Sequence, residues 1–183
     1  MSIRPARPDD AAQLAGVHIR AWHETYRGIM PDKALDELSI ARSREGWEKR
    51  LAALPQRQFV AVALDNLERV VGFVAAGPSR LAELPTDGEV FAINLVNEAK
   101  RRGHGVRLMH AAAVHLIDCG FRSVGLWVLE RNAGARKFYE RLGGRVATQR
   151  EEDFADTKLI ELGVVWHEAT VLERQAFALI QSA

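Results

Sequence analysis

At 183 residues the chain is long enough for one substantial core and short for two, so a single domain over residues 1–183 is expected. Its 48% apolar and 27% charged residues exclude a disordered or collagen-like chain, and no apolar run reaches the roughly 18 residues that a membrane span needs. Lys+Arg 25 against Asp+Glu 24 leaves a net charge of +1, which excludes a general field for nucleic acid or anionic lipid and makes any charge-based binding local.

In chain order, Ser2 to Ala6 reads as a short strand, and Pro8-Asp9-Asp10 opens a helix whose Ala11, Leu14, Val17, Ala21 and Trp22 recur at helical spacing. Past a break at Gly28 to Pro31, Asp32 to Leu38 is helical, and Ser39 caps a third helix with Trp47 and Leu51. FVAVAL and RVVGFVAAG around Asp65-Asn66 predict an antiparallel hairpin, and Pro78 and Pro85 bracket a loop. Glu89 to Val96 is a further strand that runs into KRRGHG. The helix after it carries Val106, Met109, Ala113, Leu116 and Ile117 on one face and stops at Cys119-Gly120. VGLWVL is a strand, Asn132 caps a helix with Ala135, Phe138, Tyr139 and Leu142 as its apolar stripe, and Gly143-Gly144 ends it. A strand around Val146, an acidic loop Glu151 to Asp156, a strand Leu159 to Trp166 and a last helix from Ala169 complete the chain.

The single cysteine, Cys119, forms no internal disulfide, and the N-terminal MSIRPARPDD lacks the apolar stretch of a secretion signal, so a reducing cytoplasm is expected. Cys119 reads as a small buried residue rather than a nucleophile. The six histidines show no metal-ligand spacing, so no metal is expected, and His104 reads as exposed.

The segment Lys100 to Val106 passes from strand to helix through two glycines two residues apart, which lets successive backbone N–H groups converge, and the following helix adds the positive end of its dipole. Lys100, Arg101, Arg102 and Arg107 add charge that phosphate favours. The dinucleotide fingerprint G-x-G-x-x-G and the Walker loop are both absent.

Lys100-x-x-Gly103-x-Gly105, following AINLVNE, resembles the pyrophosphate loop [QR]-x-x-G-x-[GA] of the GCN5-related N-acetyltransferase (GNAT) superfamily. Leu126 to Gly144 is similar to that family's strand-helix motif, with Asn132 before the helix and Phe138-Tyr139 near its end. The opening IRPARPDD and the stretch AWHETYRGIMP are similar to its first strand and substrate-side helices. The resemblance covers nearly the whole chain, with three departures: Lys100 replaces Gln or Arg, Asn97 stands where proline is common, and Gly144 where phenylalanine is common.

The resemblance implies an α/β (α+β) fold: a mixed, mostly antiparallel twisted sheet of about seven strands, splayed between the fourth and fifth, Glu89 to Val96 and Ser123 to Leu129. It implies acetyl-CoA as cosubstrate and direct attack by an acceptor amine. Pantetheine would bond to the backbone at Leu95 and Val96, where the family has a bulge, and the pyrophosphate would sit on Lys100, Arg101, Arg102, Gly103, His104, Gly105 and Val106. Tyr139 matches the general acid that protonates the leaving thiolate, and an N–H near Leu95 would stabilise the oxyanion. Glu89 matches the base glutamate, beside the alternative of a strand-end carboxylate facing solvent. Asn132 either only caps its helix or also contacts the CoA arm. Arg136 and Lys137 reach the phosphates or are solvated helix charges.

Trp22, Tyr26 and Trp47 lie in the helices that cover the acceptor side, as core or as walls of an amine pocket. Neither these helices nor the loop Leu81 to Gly88 carries an acidic run that would announce a polybasic peptide, so a small-molecule amine is the expected acceptor, with no nucleic acid or membrane partner. The apolar last strand and helix could supply a homodimer interface.

Overall fold

The computed structural model describes residues 2–80, 82–154 and 157–182. Its elements are β1 (Ser2–Pro5), α1 (Ala11–Tyr26), α2 (Asp32–Asp36), α3 (Ile40–Ala52), β2 (Phe59–Leu64), β3 (Val70–Pro78), β4 (Gly88–Leu95), α4 (His104–Asp118), β5 (Val124–Leu129), α5 (Ala133–Arg141), β6 (Arg145–Phe154), β7 (Thr157–Trp166) and α6 (Ala169–Gln181). The predicted punctuation operates locally. Asp10 holds the first turn: its carboxylate accepts from Arg7 N at 2.7 Å and from both Arg4 Nη atoms at 2.7 and 2.8 Å. Ser39 Oγ accepts from Arg42 N at 3.3 Å at the start of α3. Gly120, at φ +81°, ends α4 by letting Phe121 N reach back to Leu116 O at 3.0 Å.

The strands form one seven-stranded sheet in the order β1-β2-β3-β4-β5-β7-β6, antiparallel except for β4 and β5. Residues Val70 to Gly77 of β3 are buried on both sides, which requires a helical layer on each face. α1 with α3 supplies one, where Trp47 and Phe73 meet edge to face at 4.9 Å; α4 with α6 supplies the other. A second, smaller apolar cluster joins Met30 and Leu35 to Leu159, with Trp22, Tyr26, Leu129 and Phe154 packed against it.

The parallel pairing of β4 with β5 is confined to Gly88 with Val124 and Glu89 with Gly125. Beyond Glu89 the two strands diverge, which is the expected splay. On its other edge β4 carries a bulge at Phe91, since Val90 faces Ala76 while Ala92 faces Ala75. The bulge therefore falls at Phe91 rather than at Leu95 and Val96.

Two further expectations are corrected. Glu151, Glu152 and Asp153 do not form a loop: β6 continues to Phe154, with these residues opposite Ile160, Leu159 and Lys158. β6 is an edge strand whose residues are largely exposed, so charges are tolerated there, and Lys158–Glu151 and Arg150–Glu161 pair across the hairpin at 2.8 and 2.6 Å. Ala155 and Asp156, the end of the expected acidic loop, and Leu81, the start of the other loop, lie outside the described residues. His104 is the second correction. It is only 4% exposed, its Nδ1 has no partner among the described residues, and burial followed by the nearby Arg102 and Arg107 charges holds its pKa below the usual histidine range.

Candidate active site

The loop between β4 and α4 has the backbone of an anion cradle. A single 3₁₀ turn, Asn97–Ala99, leads into Lys100; Arg101 at φ +59° and Gly103 at φ +80° then reverse the handedness of the chain twice before α4 begins. The first backbone bond of the helix is Arg107 N to Gly103 O at 3.1 Å, and the N–H groups of Arg101 through Val106 have no acceptor among the described residues. Alternating left- and right-handed residues point such groups toward a common centre, and the positive end of a 15-residue helix stands behind them. That combination favours an anion with several oxygens, which a pyrophosphate satisfies.

Of the side chains assigned to this loop, Arg101 and Arg102 are exposed and Lys100 is not turned toward it. Its ammonium donates to Thr25 Oγ1 on α1 at 2.9 Å, and burial lowers its pKa. The loop is bound to α1 at two further points: Asn97 N donates to Glu24 Oε2 at 2.5 Å, and Arg20 pairs with Glu98. Lys100 thus fastens the loop to the helix that carries Trp22 and Tyr26.

Along the splayed edge, Val96 donates its N–H to Val71 O at 3.1 Å. Antiparallel strands alternate their bonding direction, so Leu95, one residue earlier, presents its N–H and C=O to the gap that β5 has left. A Cβ at Gly105 would stand 3.2 Å from the Leu95 side chain and 3.3 Å from Phe138, so the missing side chain is what lets α4, β4 and α5 approach there.

Across the gap, Asn132 Oδ1 accepts from Ala135 N at 3.1 Å and caps α5. Tyr139 is 7% exposed and meets Trp166 edge to face at 6.3 Å; burial, reinforced by the field of Tyr26, pushes its phenol well above the usual tyrosine range. Tyr26 is raised in the same way, by burial and then by Glu161. Tyr26 from α1 and Tyr139 from α5 therefore share one neighbourhood, and Trp22 adjoins Tyr26 at 5.3 Å. Trp47, by contrast, is core. Arg136 Nη1 is held by Glu130 O at 3.0 Å.

Glu89 is 1% exposed at the apex of the splay, so it does not face solvent. Both of its oxygens are engaged by Arg80: Nη2 to Oε1 at 2.5 Å, and the backbone N and Nε to Oε2 at 2.9 and 3.2 Å.

Several residues of the site carried no sequence signal. Arg80 lies in an irregular loop, and Arg131 donates to Gly28 O at 2.9 Å and to Ile29 O at 3.3 Å, tying the turn after α1 to the end of β5. Neither follows from any local spacing. A hollow of about 800 Å³ is lined by Arg136, Gly143, Gly144, Trp166, Val171 and neighbouring residues, and Glu89, Tyr139 and the Lys100–Val106 loop are not among its walls. Among the described residues no helix is long and apolar enough to cross a membrane.

Comparison with known proteins agrees with this geometry. Residues 19–144 match the model of the Acetyltransferase (GNAT) family. The chain is 31% identical over 173 residues to an uncharacterized N-acetyltransferase, YuaI, of Bacillus subtilis (strain 168), covering 94% of this chain and 96% of that protein. It is 30% identical over 142 residues to a mycothiol acetyltransferase of Actinosynnema mirum, covering 78% of this chain but 42% of that protein. Its fold matches that of the PaiA N-acetyltransferase of Thermoplasma acidophilum, solved in complex with coenzyme A, with a TM-score of 0.69 and 21% identity over 88% of this chain and 96% of that one. With the splayed sheet, the amide-lined loop and a relative matched nearly end to end, the chain belongs to the GNAT family of acetyltransferases and is an N-acetyltransferase.

Proposed function

We propose that this N-acetyltransferase binds acetyl-CoA in the splay and transfers the acetyl group directly to the amine of a small molecule. The observation that carries the reading is the run of unpaired amides from Arg101 to Val106 at the mouth of a gap whose opposite wall holds Tyr139. Acetyl-CoA supplies the activated acyl group as a thioester. These amides, with Arg101 and Arg102 beside them, bind its pyrophosphate, and the Leu95 backbone C=O orients a pantetheine amide. The Leu95 N–H favours negative charge on the reacting carbonyl oxygen.

An amine with a pKa near 10 is neutral in only about 1 molecule in 1,000 at pH 7, so a base is needed. Glu89 is that base, at the apex of the splay. Tyr139 keeps its proton across the physiological range because burial opposes the phenolate, so it can donate a hydrogen bond or a proton to the departing sulfur. Asn132 holds the N-terminus of α5 and thereby the position of Tyr139. Trp22 and Tyr26 form an aromatic wall on the acceptor side. The relatives named mycothiol acetyltransferases support a small-molecule acceptor.

Titration calorimetry with CoA and desulfo-CoA, run beside thiol release over an amine panel, tests the reading. Micromolar binding together with thiol release for one amine class is expected. Absence of CoA binding would overturn the assignment of the loop.

A further inference from the structure

Both carboxylate oxygens of Glu89 are held by one side chain, and that side chain is itself in solvent. Arg80 is 54% exposed while the carboxylate it grips is 1% exposed, so the grip can be exchanged for another partner without disturbing the core. The Arg80 guanidinium lies 4.2 Å from the centre of the Phe91 ring, on the bulge of β4. A second guanidinium, Arg50 of α3, lies 5.4 Å from the same ring and 5.7 Å from that of Trp47.

Arg50 has no carboxylate within ion-pair distance among the described residues, and its polar contact is Gln58 Oε1 at 3.3 Å. Burial, and then repulsion from Arg80, push its pKa below the usual arginine value. Around Phe91 two guanidiniums thus stand beside one carboxylate, which Arg80 alone holds. A half-buried cation without a counter-charge is costly, and an anion that pairs with it relieves the cost. The surplus is one positive charge, which one carboxylate neutralises; a phosphate monoester would overshoot it.

We propose that Arg50 and Arg80 form the binding site for a carboxylate carried by the acceptor, so that the substrates are amino acids or similar amino-carboxylates, and that this carboxylate draws Arg80 off Glu89. The proposal rests on Glu89 as the base. While Arg80 holds both oxygens of Glu89 neither is open to a proton of the acceptor, and once the guanidinium leaves they are. The substrate would therefore uncover the base that it needs. Glu89 then takes one proton from the ammonium, nitrogen bonds to the acetyl carbon, the carbon–sulfur bond breaks as Tyr139 gives its proton to sulfur, and the second proton that nitrogen loses restores the phenol. Glu89 returns its proton to solvent, so ammonium and thioester give amide, free thiol and one proton.

The test compares L-amino acids with their amides and decarboxylated amines, at saturating acetyl-CoA, by thiol release. It is repeated as calorimetric titration of the same compounds onto enzyme loaded with desulfo-CoA. The wild-type enzyme is expected to prefer the carboxylate form by about 10-fold or more in kcat/KM and in binding, and Arg50→Gln to reduce that ratio to near one. Arg50→Lys, which keeps the charge and loses the fork, is the second variant should the first fail to fold, and it is expected to retain part of the preference. Equal use and equal binding of acids and amides by the wild-type enzyme would overturn the proposal, as would a carboxylate preference unchanged by Arg50→Gln and Arg50→Lys. Carboxylate-dependent binding that Arg50→Gln abolishes, with no thiol release from any amine, would uphold the site and overturn the proposed transfer reaction.

Discussion

At Tyr139 packing and the proposed chemistry meet in one residue. Its ring is core, wedged near Trp166 and Phe138, while its phenol lies within the field of Tyr26 from the opposite side of the gap. Removing only the hydroxyl leaves the packing in place. Tyr139→Phe is expected to lower kcat about 100-fold with the CoA dissociation constant nearly unchanged, by steady-state kinetics and calorimetry. Unaltered turnover would remove the phenol from the mechanism. Gly144 is a second case, because it departs from the family pattern. A Cβ there would stand 2.7 Å from Trp166 Cζ2 and 2.7 Å from Val164 Cγ1. The indole, fixed by its Nε1 bond to Leu142 O at 2.8 Å, fills the space that a side chain at 144 would use. Gly144→Ala should cost about 1–3 kcal/mol in urea unfolding, because both neighbours are packed in the interior.

Among the elements, the β4–β5 junction decides whether a gap exists at all. Only two residue pairs join these strands, and what holds the junction is the loop before β4, where Asp87 accepts from the backbone N of Arg122 and Ser123, each at 3.0 Å, and from Ser123 Oγ. Desolvation alone would raise this carboxyl, but the bond from Ser123 Oγ and those from the backbone N–H groups of Arg122, Asp87 and Ser123 outweigh it and bring the pKa down to about 2. A depressed carboxyl stabilises the fold above its unfolded pKa of about 3.9, and the contribution is lost as pH falls through about 2. Because Asp87 is exposed, solvent screening leaves about 1 kcal/mol of it. Urea unfolding of Asp87→Ala should show that deficit at pH 5 and a much smaller one near pH 2; an equal deficit at both would mean that the clamp is not ionic.

For the molecule as a whole, the coupling of the loop to α1 through Lys100, Asn97 and Glu98 makes CoA binding a global event. A ligand that binds only the folded chain, at 100 times its dissociation constant, adds about 2.7 kcal/mol, which for a chain of this size raises Tm by roughly 5–10 °C. Differential scanning calorimetry with and without CoA measures this, and no rise would mean that the loop does not take the cofactor. Much of the architecture is legible in the sequence, because helix caps, glycine stops and the periods of 3.6 and 2 depend on near neighbours: Asn132, Gly120 and the β2–β3 hairpin are examples. The loop itself was legible because its backbone conformation needs glycine at 103 and close approach at 105. What the sequence by itself determined was thus the order of elements and the family. The tertiary structure alone decided which way each long side chain turns: Lys100 to Thr25, Arg131 to Gly28, Arg80 onto Glu89 and His104 into the interior. Lys100 and Arg131 join residues 75 and 103 positions away, while Arg80 meets Glu89 across a hairpin at nine. Their partners are set by how the helices and strands pack and by which charges lose water, and no local pattern of residues encodes either.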